Sequence, residues 1–222
     1  SLLLAHGADP NGMVESSGTP MMQAQNDPVL SALLRAHGGH ELKDDLADAK
    51  RLVDEGKLDE AERLLRANRE WLDNINRGWG DGILAGPARD GRIDIIEMLM
   101  RLGARVPLVS KWAPYYYFKH EKTAAYLLDH GMDPNHMNWH RFTLLHHMAA
   151  DGELAKARLL VDHGADVDAI DDEYRSTPLG IAARWGRREL VSFLLDAGAD
   201  PTLAGATWAT PIAWAERKGH QA

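Results

Sequence analysis

The stretch TPLGIAARWGRRELVSFLLDAGADP, residues 177–201, decides the fold. It opens with a threonine and a proline, which is typical of a helix start. The threonine hydroxyl can cap the first turn, and proline needs no amide partner at the first helical position. Gly186 interrupts the stretch, and an aliphatic run then ends at Gly198, as helices do at a left-handed glycine. The stretch therefore predicts two short helices joined by a glycine turn.

The same pattern recurs along the chain. TLLHHMAADG begins at Thr143 and TPIAWAERKG begins at Thr210, so the three openings are 34 and 33 residues apart. Three further segments are similar in sequence to the end of this stretch: LLLAHGADPN, YLLDHGMDPN and LLVDHGADVD. A period of this length predicts a solenoid, because one helix pair buries too little apolar surface to be stable without neighbours.

These motifs resemble the ankyrin repeat, and the resemblance covers essentially the whole chain. It implies an all-α ankyrin-repeat solenoid of stacked antiparallel helix pairs with projecting hairpin-like loops. We expect a single ankyrin-repeat domain over residues 1–222, with irregular units in 1–81 and more regular units in 82–222. The array has about seven units, and we expect it to be a fragment of a longer protein. The predicted units begin at Thr19, Ala47, Gly82, Ser110, Thr143, Thr177 and Thr210.

One unit has no opening motif. The segment LADAKRLVDEGKLDEAERLLRANREWLD, residues 46–73, keeps only apolar positions at helical spacing. We interpret it as a degenerate ankyrin unit, and a tetratricopeptide-like helix pair stays open as the alternative for this stretch.

Composition and charge exclude several function classes. No apolar run approaches the roughly 20 residues that span a bilayer, so we expect no membrane partner. The formal net charge of −8 repels phosphate backbones and argues against nucleic acid. The chain has no cysteine, which excludes disulfides, thiolate zinc sites and cysteine nucleophiles. This composition fits a reducing compartment, and we predict a cytoplasmic protein.

The sequence contains no recognisable catalytic motif. We find no GxSxG element, no Walker loop and no GxGxxG element. The segment HMNWHRFTLLHH, residues 136–147, is rich in histidine, but its spacing matches no zinc module. His146 is the histidine of the opening motif and is expected to bond to the backbone. We therefore predict no catalytic residues, no metal and no cofactor.

The resemblance implies a binding function. In ankyrin-like proteins, partners usually bind a concave face built from the loops and first helices. We therefore predict a monomeric protein-interaction module with an aromatic-lined groove for a protein or peptide partner. The predicted partner-binding residues are Trp79, Tyr117, Phe118, Trp139, His140, Asp151, Glu173, Tyr174, Arg184 and Trp185. Trp208 and Arg217 occupy equivalent positions in the last unit.

Two alternatives remain open. In the first, Asp151, Asp172 and Glu173 converge near the tryptophans in a small-molecule or carbohydrate-binding site, or in a hydrolytic site. A closed pocket lined by those carboxylates favours this alternative, and an open groove favours the interaction module. In the second, the array is only a structural spacer within a larger chain.

The aromatic stretch WAPYYYFKHEK, residues 112–122, departs from the repeat pattern. Trp112 occupies the leucine slot of the opening motif, and Tyr115 and Tyr116 occupy the slots of the alanine pair, so we expect these three residues to pack between helices or to hold the stack apart. Tyr117 and Phe118 occupy groove slots. The compact GILAGPARDG segment, residues 82–91, either fills the space beside the tyrosines or leaves a pocket there. Pro114 leaves open a later helix start, which changes the side that each aromatic residue faces.

Overall fold

The computed structural model describes residues 4, 8, 20–24, 26–39, 45–68, 72, 82–106 and 112–220. Within these residues the chain forms short α-helices that succeed one another in pairs. They are α1 (Pro20–Gln23), α2 (Pro28–Ala36), α3 (Asp45–Asp54), α4 (Leu58–Ala67), α5 (Ala85–Arg89), α6 (Ile93–Arg101), α7 (Ala113–Tyr116), α8 (Glu121–Asp129), α9 (Leu144–Asp151), α10 (Leu154–Asp162), α11 (Pro178–Arg184), α12 (Arg188–Asp196) and α13 (Pro211–Lys218). A 3₁₀ turn, Thr207–Ala209, precedes α13.

The regular units begin as the opening motif predicts. Thr143, Thr177 and Thr210 each cap a first helix through the side-chain oxygen, which accepts the amide hydrogen of the residue three positions later. Pro178 and Pro211 lie at the first helical position, where no amide partner is needed. The cap at Thr143 is reciprocal, since His146 Nδ1 accepts the Thr143 amide at 3.2 Å.

Successive helix pairs stack in two layers. First helices contact first helices, from α5 through α7, α9 and α11 to α13. Second helices contact second helices, with α4 against α6 and α8 against α10 and then α12. One continuous core extends from Ala49 to Ala199, and Met21, Ala24 and Leu34 form a separate small cluster. The predicted all-α solenoid of stacked helix pairs is confirmed.

Hydrogen bonds from one unit to the next tie the first layer together. His120 Nε2 lies 2.9 Å from the Arg89 carbonyl oxygen, and His220 Nε2 lies 3.2 Å from the Arg184 carbonyl oxygen. Arg187 donates equivalently to the Ala150 carbonyl at 2.9 Å. The donors pass close to the preceding turn, and a Cβ atom at Gly186 would lie 2.8 Å from the His220 ring. The turn position therefore favours glycine for two reasons. Its φ is positive, and the histidine ring of the next unit leaves no room for a Cβ atom.

The projecting loops are short hairpins that bond to one another. Met137 and Thr143 form an isolated antiparallel bridge, and the Leu144 amide donates to the His136 carbonyl at 2.9 Å. The Asp172 amide then donates to the His140 carbonyl at 2.8 Å, which joins two successive loops. These bonds hold the loops in a fixed relation to the first helices.

The degenerate unit at residues 46–73 forms the predicted helix pair, α3 and α4. Val53, Ala61 and Leu65 are buried in the main core, and α4 stacks on α6 as other second helices do. This stacking favours the interpretation as a degenerate ankyrin unit.

The aromatic stretch at residues 112–122 lies differently from our expectation. Helix α7 begins at Ala113 with Pro114 in its first turn, so it begins two residues later than the repeat pattern predicts. Tyr117 and Phe118 are fully buried, at 0% and 1% exposure. The prediction that they face the groove is wrong, because the later start turns them into the core.

Our expectation that Trp112, Tyr115 and Tyr116 pack between helices also needs correction. Tyr115 is 54% exposed and Trp112 is 43% exposed, so neither is a core residue. Tyr116 is partly buried against the main core, with an edge-to-face contact to Tyr115 at 5.1 Å. Tyr117 and Phe118 belong to the same core as Ala85 and Ala88 of the compact unit, and α7 contacts α5.

Candidate functional site

The loop and first-helix side of the regular units exposes a row of tryptophans. Trp139, Trp185 and Trp208 are 44%, 52% and 44% exposed, and each belongs to a different loop or first helix. We call these three residues the tryptophan row. His140, Asp151 and Glu173 are also exposed on this side. Trp79 lies outside the described residues.

Arginines and aromatic rings alternate beside this row. The guanidinium carbon of Arg184 lies 4.8 Å from the Tyr174 ring centroid and 4.2 Å from that of Trp214. Arg217 continues the stack, at 5.0 Å from Trp214 and 5.7 Å from Trp208. We call Tyr174, Arg184, Trp214, Arg217 and Trp208 the aromatic–arginine stack. It joins two predicted site residues, Tyr174 and Arg184, to the last unit.

The stack is anchored in the core by Trp214 and Ser176. Trp214 is buried, and its indole N–H donates to the Ser176 hydroxyl at 2.7 Å. Ser176 is fully buried and donates in turn to the Ala209 carbonyl at 2.8 Å. Neither residue was among our predicted site residues. The available signal was a tryptophan at position 214, where the equivalent positions hold His147 and Ile181.

A buried carboxylate fixes the loop that carries Tyr174. Asp171 is fully buried, and its oxygens accept the amides of Glu173 at 2.8 Å, Tyr174 at 2.6 Å and Ser176 at 3.1 Å. Three backbone bonds to one carboxylate hold the loop rigidly. Burial raises the pKa of the Tyr174 hydroxyl, and the neighbouring Glu173 raises it further.

The buried His146 and the partly buried His147 contact the Phe142 ring, next to the stack. The Phe142 centroid lies 4.9 Å from that of His146, 4.7 Å from His147 and 6.0 Å from Tyr174. His146 Nε2 also lies 3.1 Å from the Ser176 carbonyl, as a backbone-bonded motif histidine should. Burial lowers the pKa of both rings to about 4, and for His147 repulsion from His146 and His136 adds to that effect.

The predicted carboxylates line neither of two well-formed cavities in the described part of the chain. Asp151, Asp172 and Glu173 are exposed, and partial burial raises the pKa of Asp151. A cavity of about 380 Å³ lies between α3, α4, α5 and α6, with Gly86 and Pro87 in its wall. A second, of about 610 Å³, lies between α11, α12 and α13. The compact GILAGPARDG segment thus borders a cavity on its side towards α3 and α4, and is packed where it meets the aromatic stretch.

The described residues contain neither a metal-binding cluster nor a membrane-spanning helix. No group of three or more histidine, cysteine, aspartate or glutamate side chains in the described ranges is arranged to hold a metal ion. Within those same ranges, every helix is too short or too polar to cross a membrane.

The two-layered stack of capped helix pairs, with loops projecting from one side, defines an all-α repeat protein. The family model for ankyrin repeats matches three copies over residues 112–204. Residues 112–204 are therefore ankyrin repeats. Ankyrin repeats are generally protein-interaction modules.

Similar proteins share the repeats over short regions. Palmitoyltransferase Hip14 of Drosophila melanogaster is 38% identical over 80 residues, which are 36% of this chain and 13% of that protein. Protein lin-12 of Caenorhabditis elegans is 39% identical over 80 residues, which are 32% of this chain and 5% of that protein. The putative ankyrin repeat protein FPV014 of Fowlpox virus is 27% identical over 154 residues, 66% of this chain and 34% of that protein. The chain thus spans small parts of the first two proteins.

Proposed function

We propose that this chain binds a segment of a partner protein on the loop and first-helix side of its regular units. The observation that carries the proposal is the tryptophan row. Trp139, Trp185 and Trp208 each leave about half of a large aromatic side chain in water. Such residues are enriched at binding hot spots, where their burial contributes most of the affinity. The proposed contacts also include His140, Asp151, Glu173, Tyr174, Arg184 and Arg217.

The rigidity of this surface supports the proposal. Asp171 fixes the Tyr174 loop through three backbone bonds, and Ser176 fixes Trp214. A surface that is already ordered loses little conformational entropy when a partner binds. The binding role needs no catalytic group and no cofactor, and we propose that the chain acts as a monomer in the cytoplasm.

Peptide selection tests the proposal directly. A random dodecapeptide library displayed on phage is selected on the immobilised protein, and recovered peptides are synthesised with a fluorescent label. Their affinity is measured by fluorescence anisotropy for the wild type and for the Trp139→Ala/Trp185→Ala variant. We expect the double variant to bind at least about tenfold more weakly, because truncating a hot-spot residue costs more than about 1 kcal/mol. The melting temperature should fall by only a few degrees and the protein should stay folded, since about half of each side chain is already exposed.

Val29→Ala provides the control. Val29 is 78% exposed on α2, so this variant also removes an exposed apolar side chain, but from a helix outside the regular units. It should bind the selected peptides as the wild type does. If no peptide is recovered, or if the peptides bind the tryptophan variant and the wild type equally, the proposal is wrong.

A further inference from the structure

Two arginines of the aromatic–arginine stack are held between or over aromatic rings, and no carboxylate of the described residues pairs with them. Arg184 lies between the rings of Tyr174 and Trp214, and Arg217 lies over Trp214 and Trp208. Their guanidinium groups form no ion pair with any carboxylate in the described ranges. The Nε atom of Arg184 is buried and donates no hydrogen bond to any of those residues.

Other arginines of the described residues lie against carboxylates or backbone carbonyls. Arg51 pairs with Asp48 and Glu55, Arg66 pairs with Glu62, and Arg92 pairs with Asp94. Arg175 and Arg187 instead donate to backbone carbonyls of neighbouring units. Arg184 and Arg217 differ from both groups because their guanidinium groups lie over aromatic rings.

The last part of the chain is less acidic than the average. Residues 174–220 contain six lysines and arginines and four aspartates and glutamates, whereas the whole chain has a formal net charge of −8. The exposed carboxylates of Asp172 and Glu173 lie just before this part, so its positive charge is concentrated at the arginines of α11 and α13. A positive region on an acidic protein attracts negatively charged segments of other molecules and repels positive ones. The same acidic average disfavours a long phosphate backbone, which extends beyond the positive region.

The stacking determines what the guanidinium groups can bind. An aromatic ring covers a face of a stacked guanidinium and leaves N–H donors at its edge available. In Arg184 the Nε atom is buried, so the edge open to a ligand is the one formed by the two terminal nitrogens. That edge matches the two oxygens of a carboxylate, which it binds through two parallel hydrogen bonds. Trp185 and Trp208 lie beside the arginines and offer apolar surface to a neighbouring side chain.

We infer that the partner segment is an acidic peptide whose carboxylates bind Arg184 and Arg217 while its apolar side chains cover Trp185 and Trp208. This inference rests on the proposed function, since it specifies the chemistry of the segment that the surface binds. It makes the stack the specificity-determining part of the surface and the tryptophan row the part that provides apolar contact.

Composition of the selected peptides is the first measurement. Peptides recovered from the random library should be enriched in aspartate and glutamate relative to the unselected library. Their affinity should fall as the sodium chloride concentration rises, because the contacts are between opposite charges. Peptides that depend on the tryptophans but are neutral or basic contradict the acidic partner and leave the proposed function standing.

Matched glutamine variants are the second measurement. Arg184→Gln and Arg217→Gln should each weaken binding of an acidic peptide by about tenfold, the effect of losing a hydrogen bond to a charged group. Arg158→Gln is the control, because the Arg158 guanidinium lies 4.6 Å from the Phe193 ring centroid in the second layer. That variant removes the same kind of stacked charge away from the proposed surface and should leave affinity unchanged.

Arg184 is partly buried, so its variant can also lose stability. Arg217 is exposed and provides the variant that stays folded, with thermal unfolding of all variants as the check. Unchanged affinity in Arg217→Gln, together with a lower melting temperature in Arg184→Gln, means that the stack is packing only, and contradicts the inference. Decauridylate is the competing probe. If it displaces the acidic peptide at lower concentration than the unlabelled peptide does, the partner is a nucleic acid and the inference is wrong.

Discussion

The first helices of the Ser110 and Thr177 units occupy equivalent positions in the stack but turn different residues into the core. In the Thr177 unit, helix α11 begins at Pro178, its alanine pair is buried, and Arg184 and Trp185 reach the surface. In the Ser110 unit, helix α7 begins two residues later in the pattern, and Tyr117 and Phe118 are buried where an arginine and a tryptophan are at the surface in the Thr177 unit.

The difference comes from the residues that start each helix. A threonine cap followed by proline fixes the first turn of α11, and every later position then lies where the repeat pattern places it. In α7 the N-cap is Trp112, which makes no side-chain cap hydrogen bond, and proline comes at the second helical position. A repeat motif thus predicts the direction of a side chain only where the helix start is itself specified.

Truncating the buried aromatic residues of the Ser110 unit should have the largest effect. Tyr117→Ala and Phe118→Ala each remove a fully buried ring and should lower the free energy of unfolding by about 3–5 kcal/mol. Urea unfolding followed by circular dichroism measures the loss. If Tyr115→Ala is the costly variant instead, the later start of α7 is wrong.

Tyr115→Ala is the matched control for this comparison. Tyr115 is 54% exposed, so its truncation should change the free energy of unfolding by no more than about 0.5 kcal/mol. The three substituted residues lie within four consecutive positions. They differ mainly in burial, which is set by where α7 begins.

Acid should destabilise the Thr143 unit next most strongly. Burial lowers the pKa of His146 and His147 to about 4 in the folded protein, whereas an unfolded histidine titrates near 6.5. As the pH falls from about 6.5 to about 4, the unfolded chain binds protons that the folded chain does not, so stability decreases. The loss should be on the order of 3 kcal/mol for His146 and smaller for His147, which is less completely buried.

Urea unfolding at a series of pH values measures this slope, which is the change in the free energy of unfolding with pH. His147→Leu should flatten it, because one of the two buried rings no longer titrates. His163→Gln should not flatten it, since hydrogen bonding to Asp129 raises the pKa of His163 and makes its contribution opposite in sign. A stability that does not change between pH 6.5 and 4 contradicts the buried neutral histidines.

The sequence predicted the repeats, the caps and the stacking, because these depend on local signals that recur. It also predicted that Trp139, Trp185 and Arg184 reach the surface, since their units begin with capped helices. It did not predict the aromatic–arginine stack, which depends on the distance between side chains more than 25 residues apart in the chain, such as Arg184 and Trp214. It placed Tyr117 and Phe118 wrongly, because periodic spacing does not determine where an uncapped helix starts.

The loops of the regular units offer the smallest and most specific test. Arg141 and Arg175 have φ angles of +57° and +54°, in the left-handed region that a residue with a Cβ atom adopts at a cost. Arg141→Gly should raise the free energy of unfolding by about 0.5–1 kcal/mol, because the strain is removed and only part of it is offset by the greater freedom of the unfolded chain. The melting temperature should rise by a few degrees.

Arg175→Gly should stabilise less than Arg141→Gly, because Arg175 also donates to the Gly205 carbonyl at 3.1 Å and the variant loses that bond. Comparing the two variants separates the backbone strain, which they share, from the contact between loops, which only Arg175 makes. Equal gains would mean that the bond from the Arg175 side chain contributes nothing to joining the loops. A loss of stability in Arg141→Gly would mean that the arginine side chain stabilises the left-handed loop conformation. The loop, like the capped helix starts, would then be fixed by a side chain as well as by its backbone.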